Sequence, residues 1–549
     1  MPAAALPSWS WPRDGGQAQQ PVPVTGMTTG INSGTGERPA RWEVNDLQAE
    51  GGPRWDLYIQ GLAALQNKTE TDERSHFGVA GIHGRPYAPY NGVGSVPGSP
   101  GGGFCPHGQV LGTEIQRIAS EYSGENASSY REAAQTFRLP YWDWATNAIL
   151  PPACTPESIT VDGPRGPLRL RNPLYSYRWP TQPLNQTQFP GSQDWPPETT
   201  RASNNTHPDF SPDAVNANLA QMADLLKDLV VSQETACGGE DETPRSFYRT
   251  FTRATTWDQM STTANPAGVS FEASHNIIHN AVGGTFASLD LTAYDSLFML
   301  HHANVDRLAA LWVAAHRGAA HQTEPYQTGG LFGTARGATV TAASPLKPFY
   351  QADGRALHTG LTAAALDPFG YTYAELGDWE RARQEPEPAP ARERARREIV
   401  ARVNALYGRS GDEAGGGGGE EEEWFVDVAA DREELVLPCN IDVYVGESLV
   451  GRVALLAMPM RGLVRAEIPL QRAVRGLGVN TTNRGAVEEA LREQLSVGIK
   501  GDGRTPIDAK NIASLQLNLA AVTVTARENE YEFPEYGERS TYVKILPAA

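Results

Sequence analysis

Eleven histidines occur in a chain of 549 residues, and the spacing of a few of them carries the chemistry. In FEASHNIIHNAVGG, His275 and His279 stand four apart. On a helix that spacing puts both imidazoles on one face, one turn apart. YDSLFMLHHANVDRLAALW offers His301 and His302 on a second apolar helical stretch. Asp306, four residues after His302, is spaced to hold the non-ligating nitrogen of that ring and fix its tautomer. Three imidazoles from two helices suit a borderline metal: copper, zinc or iron. A zinc hydrolase needs a glutamate inside the HxxxH repeat, and positions 276–278 hold Asn, Ile and Ile instead. Two more histidines sit in glycine-rich settings, His83 in GIHGRPY and His107 in FCPHG. Either alone reads as a structural loop histidine. With the second cluster they suggest two metals facing each other inside a helical bundle.

Such a centre needs helices to aim its rings. WDLYIQGLAALQNK (55–68) has helical apolar spacing, SSYREAAQTFRLPYWDWA (128–145) is a helix that stops at Pro140, and 213–233 returns to helix. Residues 1–37, rich in Pro, Gly and Ser, are expected to be a disordered arm. Residues 151–215 read as a long surface excursion with little regular structure. Beyond 380 comes a charged stretch with one amphipathic helix, then GDEAGGGGGEEEE (411–423), expected to be a flexible acidic tether. After it the apolar period becomes two, in WFVDVAA, NIDVYVG, GRVALLAM and SLQLNLAAVTVTA. The reading is multidomain. An arm (1–37) precedes a mainly α domain with a four-helix-bundle metal core and long loops (38–382). A helix plus linker (383–423) leads to a β-sandwich (424–549).

The net charge of −18, without a basic stripe to offset it, excludes a nucleic-acid partner and favours small neutral substrates. Four cysteines, at 105, 154, 237 and 439, form no CxxC pair, so a zinc knuckle is not expected. No apolar run of about 20 residues predicts a membrane span. The N-terminal MPAAALPSWSWPRDGGQ lacks a signal-peptide core. An intracellular, cytoplasmic location is therefore expected, with the Asn67 and Asn126 sequons as chance matches.

GIHGRPY, CPHG, LPYWDWA (139–145), NPLYSYRWP (172–180), SHNIIHN and LFMLHHANVDRL stand in an order that resembles the tyrosinases. These are the type 3 dicopper polyphenol oxidases, and the likeness is to their fungal members. GYTYAEL (370–376) resembles the motif that closes their catalytic domain, so the likeness runs from Arg41 to Trp379. VRAEIPLQRAV (464–474) and PEYGE (534–538) resemble the C-terminal domain of the longer members.

The resemblance implies two copper ions that use O2 to hydroxylate monophenols and oxidise catechols to o-quinones, as in melanin formation. It assigns His275, His279 and His302 to the second copper (CuB), with His301 behind them, and His83 and His107 to the first (CuA). Cys105 would form a thioether to His107. Glu272 and Asn276 would orient a water acting as base toward a phenol, whose pKa is about 10. Phe298 would gate the entrance, and the pair Tyr371/Tyr373 with Arg41 would tie the domain's ends together. The C-terminal domain would be a lid, with 457–462 as the candidate plug. Oligomeric state is left open.

One departure matters. The family's third CuA histidine follows the equivalent of His107 by roughly nine residues on a helix. Here Gln116 and Arg117 stand at that interval, and HGQVL runs directly into GTEIQ. A deletion at Leu111–Gly112 explains this better than Gln116 as a ligand. His76, seven residues before His83, is expected not to reach the same metal. The remaining possibilities are an oxidase impaired at CuA, a catechol oxidase only, an inactive pseudoenzyme or isoform, and a hemocyanin-like O2 binder.

Overall fold

The computed structural model describes residues 21–94, 96, 107–192, 195–201, 246–316, 320–377, 379–382, 390–408, 420–457, 461–501 and 505–545. Cys105, His207, Cys237, the helix expected at 213–233 and the glycine run 415–419 lie outside these residues.

The first domain is helical: α1 (Val44–Glu50), α2 (Gly52–Gln66), α3 (His76–His83), α4 (His107–Ala119) and α5 (Ala127–Thr136), then α6 (Ser246–Arg253), α7 (Phe271–Val282), α8 (Ser296–His316) and α9 (Pro390–Tyr407). α2 packs on α4 and α5, while α8 packs on α7 and α9. A continuous apolar core joins the two groups, with Trp142, Trp144 and Trp312 fully buried in it. Gly61 lets α2 approach α4 closely, because a Cβ there would stand 2.6 Å from Ile115 Cγ1. The domain's ends meet in a parallel pair, β1 (Ala40–Arg41) with Thr372–Tyr373. No helix among the described residues is long and apolar enough to cross a membrane.

Three expectations need correction. Residues 21–37 are held rather than disordered. Gln109 Oε1 accepts the amides of Thr25 and Gly26, Arg138 Nη2 donates to the Thr29 carbonyl, and Met27 is buried. Backbone groups with such partners are worth ordering. The 151–215 excursion contains an antiparallel hairpin, β2 (Ser158–Gly163) on β3 (Gly166–Arg171), with Val161 buried. The boundary at 382 is too early. Ile399, Val400 and Val403 of α9 belong to the first domain's core, and Tyr407 accepts a 2.8 Å hydrogen bond from Arg307.

After the short pair β4 (Pro345–Tyr350) with β5 (Leu357–Thr359) and β6 (Thr372–Tyr373), the remaining strands form the second domain. They are β7 (Glu420–Asp431), β8 (Cys439–Val445), β9 (Ser448–Leu455), β10 (Leu463–Pro469), β11 (Leu495–Gly501), β12 (Thr505–Ile507), β13 (Gln516–Thr525) and β14 (Glu535–Ile545). Two four-stranded antiparallel sheets, β9-β8-β11-β12 and β10-β7-β13-β14, face each other across one apolar core. The expected sandwich is therefore seen, but the glutamate tract is not tether. Glu420–Glu423 open β7 and pair with Val522–Thr525 of β13. Arg475 and Arg484 lie against Glu421 and Glu422, which offsets their mutual repulsion.

β7 also shows why the domains dock. Its alternation sends Trp424, Val426 and Val428 inward to the sandwich. The opposite face carries Phe425, beneath Arg249 of α6 at 3.9 Å, and Asp427. Glu467 of β10, fully buried, is clasped there by Arg249, Arg253 and Arg539.

Candidate metal centre

α7 begins at Ser270, whose side chain accepts from Ala273 N, and ends at Gly283. Gly283 has φ 70°, a conformation glycine adopts without strain. Within it His275 and His279 share a face. α8 starts just after Asp295, whose carboxylate accepts from Leu297 N and forms a buried pair with Arg201 at 2.6 Å. That fixed start sets the direction in which His301 and His302 project.

The ring nitrogens converge. His275 Nε2 lies 3.0 Å from His279 Nε2 and 3.2 Å from His302 Nε2. His279 Nδ1–H donates to the Phe286 carbonyl at 2.8 Å, and His275 Nδ1–H donates to Asn276 Oδ1 at 2.9 Å. Each bond leaves a lone pair on Nε2, pointing at the other rings. Lone pairs so close repel unless a cation sits among them. Metal–nitrogen bonds of about 2.0–2.1 Å in tetrahedral geometry would separate ligand nitrogens by roughly 3.3 Å, close to what is found. Burial, followed by the neighbouring imidazoles, holds His279, His301 and His302 well below the usual histidine range. Burial lowers His275 as well. Neutral rings are the form a metal needs. The donor set fits copper.

His301 joins this group more closely than expected. One ligand atom from each of His275, His279, His301 and His302 falls within 4.8 Å of the others. Its ring is fully buried, with neither nitrogen hydrogen-bonded. The adjacent pair HH was the signal, and spacing alone did not reveal that both members face the cluster.

The first half is not gathered in the same way. His83 lies edge-on to Phe298 at 4.8 Å, and burial brings it to about 4. His107 is buried beside His76, with ring centroids 5.9 Å apart, and burial brings it to about 3. His76 Nε2 is committed to the Tyr294 carbonyl at 2.7 Å. Among the described residues, the only group of three or more potential metal ligands is the one on α7 and α8. Gln116 is exposed and donates to Thr29 Oγ1, so it faces away from any metal.

Asp306 is a correction. Its Oδ2 accepts from Tyr373 OH at 2.6 Å, Tyr371 OH at 2.8 Å and Arg41 Nη1 at 3.2 Å, and those donors draw it away from His302. It ties Arg41 to the Tyr371/Tyr373 pair. Phe298, 4% exposed, packs 4.1 Å from His302 between that ring and His83. Glu272 accepts from Thr263 N at 2.7 Å and Oγ1 at 3.1 Å, and it makes no bond to Asn276. The second domain reaches both residues: Arg432 Nη2 is 3.9 Å from Glu272, and the Ala454 carbonyl accepts from Asn276 Nδ2 at 3.4 Å.

Residues 73–315 match the family model described as the common central domain of tyrosinase. A tyrosinase of Neurospora crassa is 29% identical over 429 residues, covering 70% of this chain and 58% of that protein. A tyrosinase of Podospora anserina is 30% identical over 393 residues, covering 65% of each. The chain thus spans about three fifths of the length of these relatives. In three dimensions, a mushroom tyrosinase crystallised in latent and active forms aligns with a TM-score of 0.77 at 21% identity, over 96% of this chain and 99% of that one. That likeness extends the shared fold through the C-terminal sandwich. Residues 73–315, within which the histidine pair of α7 meets that of α8, thus match the tyrosinase central domain.

Proposed function

We propose that this chain is a phenol-oxidising copper protein with one complete copper-holding set and one incomplete set. The observation that carries the reading is the convergence of three Nε2 atoms from His275, His279 and His302. Copper bound there supplies the one-electron chemistry and O2 affinity that family members use to turn monophenols and catechols into o-quinones. The protein's own residues do the rest. The Phe286 carbonyl and Asn276 fix the ring tautomers, and burial keeps the rings neutral. Phe298 walls the centre on the His83 side. Glu272, three residues before His275, is the carboxylate nearest the role of base toward a phenolic proton once Arg432 withdraws.

The second domain acts as a lid in this reading. Ala454 at the end of β9 belongs to the first domain's core cluster and touches Asn276, so the sandwich sits against the metal centre. The partners are then small phenols and O2 on one side and the chain's own C-terminal domain on the other.

The CuA side sets the limit. His83 and His107 occupy different surroundings, and no third donor joins either one among the described residues. The full chain should therefore retain roughly one copper ion after dialysis. Metal analysis checks this, with L-DOPA oxidation measured before and after proteolytic removal of the lid. Two retained coppers with oxidation of L-DOPA would show that the CuA set is complete. No retained copper would refute the metal reading altogether.

A further inference from the structure

A cavity of about 720 Å³ lies along α8, beyond the histidine cluster. Its floor is the α8 stripe Asp306, Ala309, Ala310 and Val313, spaced so that all four share a face. His302 lies one turn before this stripe, yet none of the candidate copper ligands lines the cavity. The walls are aromatic, with Trp257, Phe349, Phe369, Tyr371 and Trp379, and Val24–Met27 of the N-terminal segment closes one side. The size is that of a small-molecule site, and such sites pair apolar walls with a few placed polar groups.

Arg41, Gln109, Asp306, His358 and Arg392 also line it, and the buried cation among these groups is Arg138. It is 6% exposed and lines the cavity. Its Nε donates to the Gly370 carbonyl, Nη1 to the Gln135 and Phe137 carbonyls, and Nη2 to the Thr29 carbonyl. A guanidinium has five N–H donors, so one on Nη2 is left over. All four acceptors are neutral. The carboxylate on this wall, Asp306, is committed to Arg41 and the two tyrosines. Burial and the nearby Arg41 charge push Arg138 down to about 10, as expected of a buried cation lacking a counter-ion. A buried charge without a counter-ion is rare in a folded protein unless a ligand completes it.

We propose that this cavity binds an aromatic organic anion, its ring between the aromatic walls and its acid group on Arg138. The site is separate from the copper centre and does not depend on the reading of it. Anilinonaphthalene sulfonate is a suitable probe, and phenylnaphthylamine is its uncharged counterpart. In the full chain the sulfonate should bind at one saturable site, roughly tenfold or more tighter than the neutral amine. Ala310→Trp, which fills the cavity, should weaken both. Arg138→Met should erase the preference for the anion, and Arg138→Lys should keep part of it. Equal affinity for the two probes would overturn the anion site, and unchanged binding in Ala310→Trp would overturn its location. Should Arg138→Met fail to fold, those two comparisons still decide the matter.

Discussion

At the scale of single residues, the centre rests on groups that fix rings rather than on the rings alone. Asn276 accepts from His275 Nδ1 and donates to the Ala454 carbonyl, so one amide joins a candidate ligand to the second domain. Asn276→Ala should lower copper affinity about 10- to 100-fold, the usual cost of losing a group that orients a ligating imidazole. Competition with a chelator of known affinity measures this, and an unchanged affinity would show that helix geometry alone aims His275. Much of this centre was legible in the sequence, because HxxxH and HH on apolar helices encode their own facing. The partner of Asp306 was not. Spacing put it one turn from His302, but Arg41, Tyr371 and Tyr373 are hundreds of residues or tens of residues away and compete for the same oxygen. Helical spacing shows which groups can meet, and tertiary neighbours decide which do.

At the scale of elements, α4 runs unbroken from His107 to Ala119, straight through the Leu111–Gly112 junction where the resemblance implied a deletion. Its fit depends on small residues. Gly61 admits Ile115, and Met27 covers Gly112. Gly61→Ala should therefore cost about 1–3 kcal/mol through overpacking, despite the better helix propensity of alanine. Denaturant unfolding checks the sign: a stabilised variant would mean that α2 and α4 can move apart freely. α2 and α5 followed from apolar periodicity, but the helix at His107–Ala119 was not anticipated. Nor were the docking of residues 21–37 and the β2–β3 hairpin, because Pro, Gly and Asn mark turns without saying whether the turning chain is anchored. The glutamates of β7 misled for a related reason: their like charges suggested repulsion, and the opposing arginines come from distant sequence.

At the scale of the whole molecule, the two domains meet through a buried charge cluster. Burial alone would raise the Glu467 carboxyl, but Arg249, Arg253 and Arg539 outweigh it and hold it at about 2. The sign follows directly: a carboxyl lowered in the folded state contributes stability above its ordinary pKa and loses it as pH falls toward 2. The contribution is on the order of 3 kcal/mol at neutral pH. Glu467→Gln should loosen the docked sandwich across the neutral range, seen as faster proteolysis between the domains, and should flatten the acid dependence that the parent shows between about pH 4.5 and 2. A variant as resistant as the parent at pH 7 would place the docking energy in the apolar contacts instead.

The parallel pair of Ala40–Arg41 with Thr372–Tyr373 has a further meaning. It joins the two ends of the helical domain like a clasp, locked by Arg41 against Tyr373 at 2.8 Å. α9 packs back into the helical core, and the sandwich, from β7 onward, lies outside that closed loop. Fusing, exchanging or losing the sandwich need not unravel the helical body. A lineage could thus remodel its C-terminal sandwich, or dispense with it, while passing on the same helical scaffold.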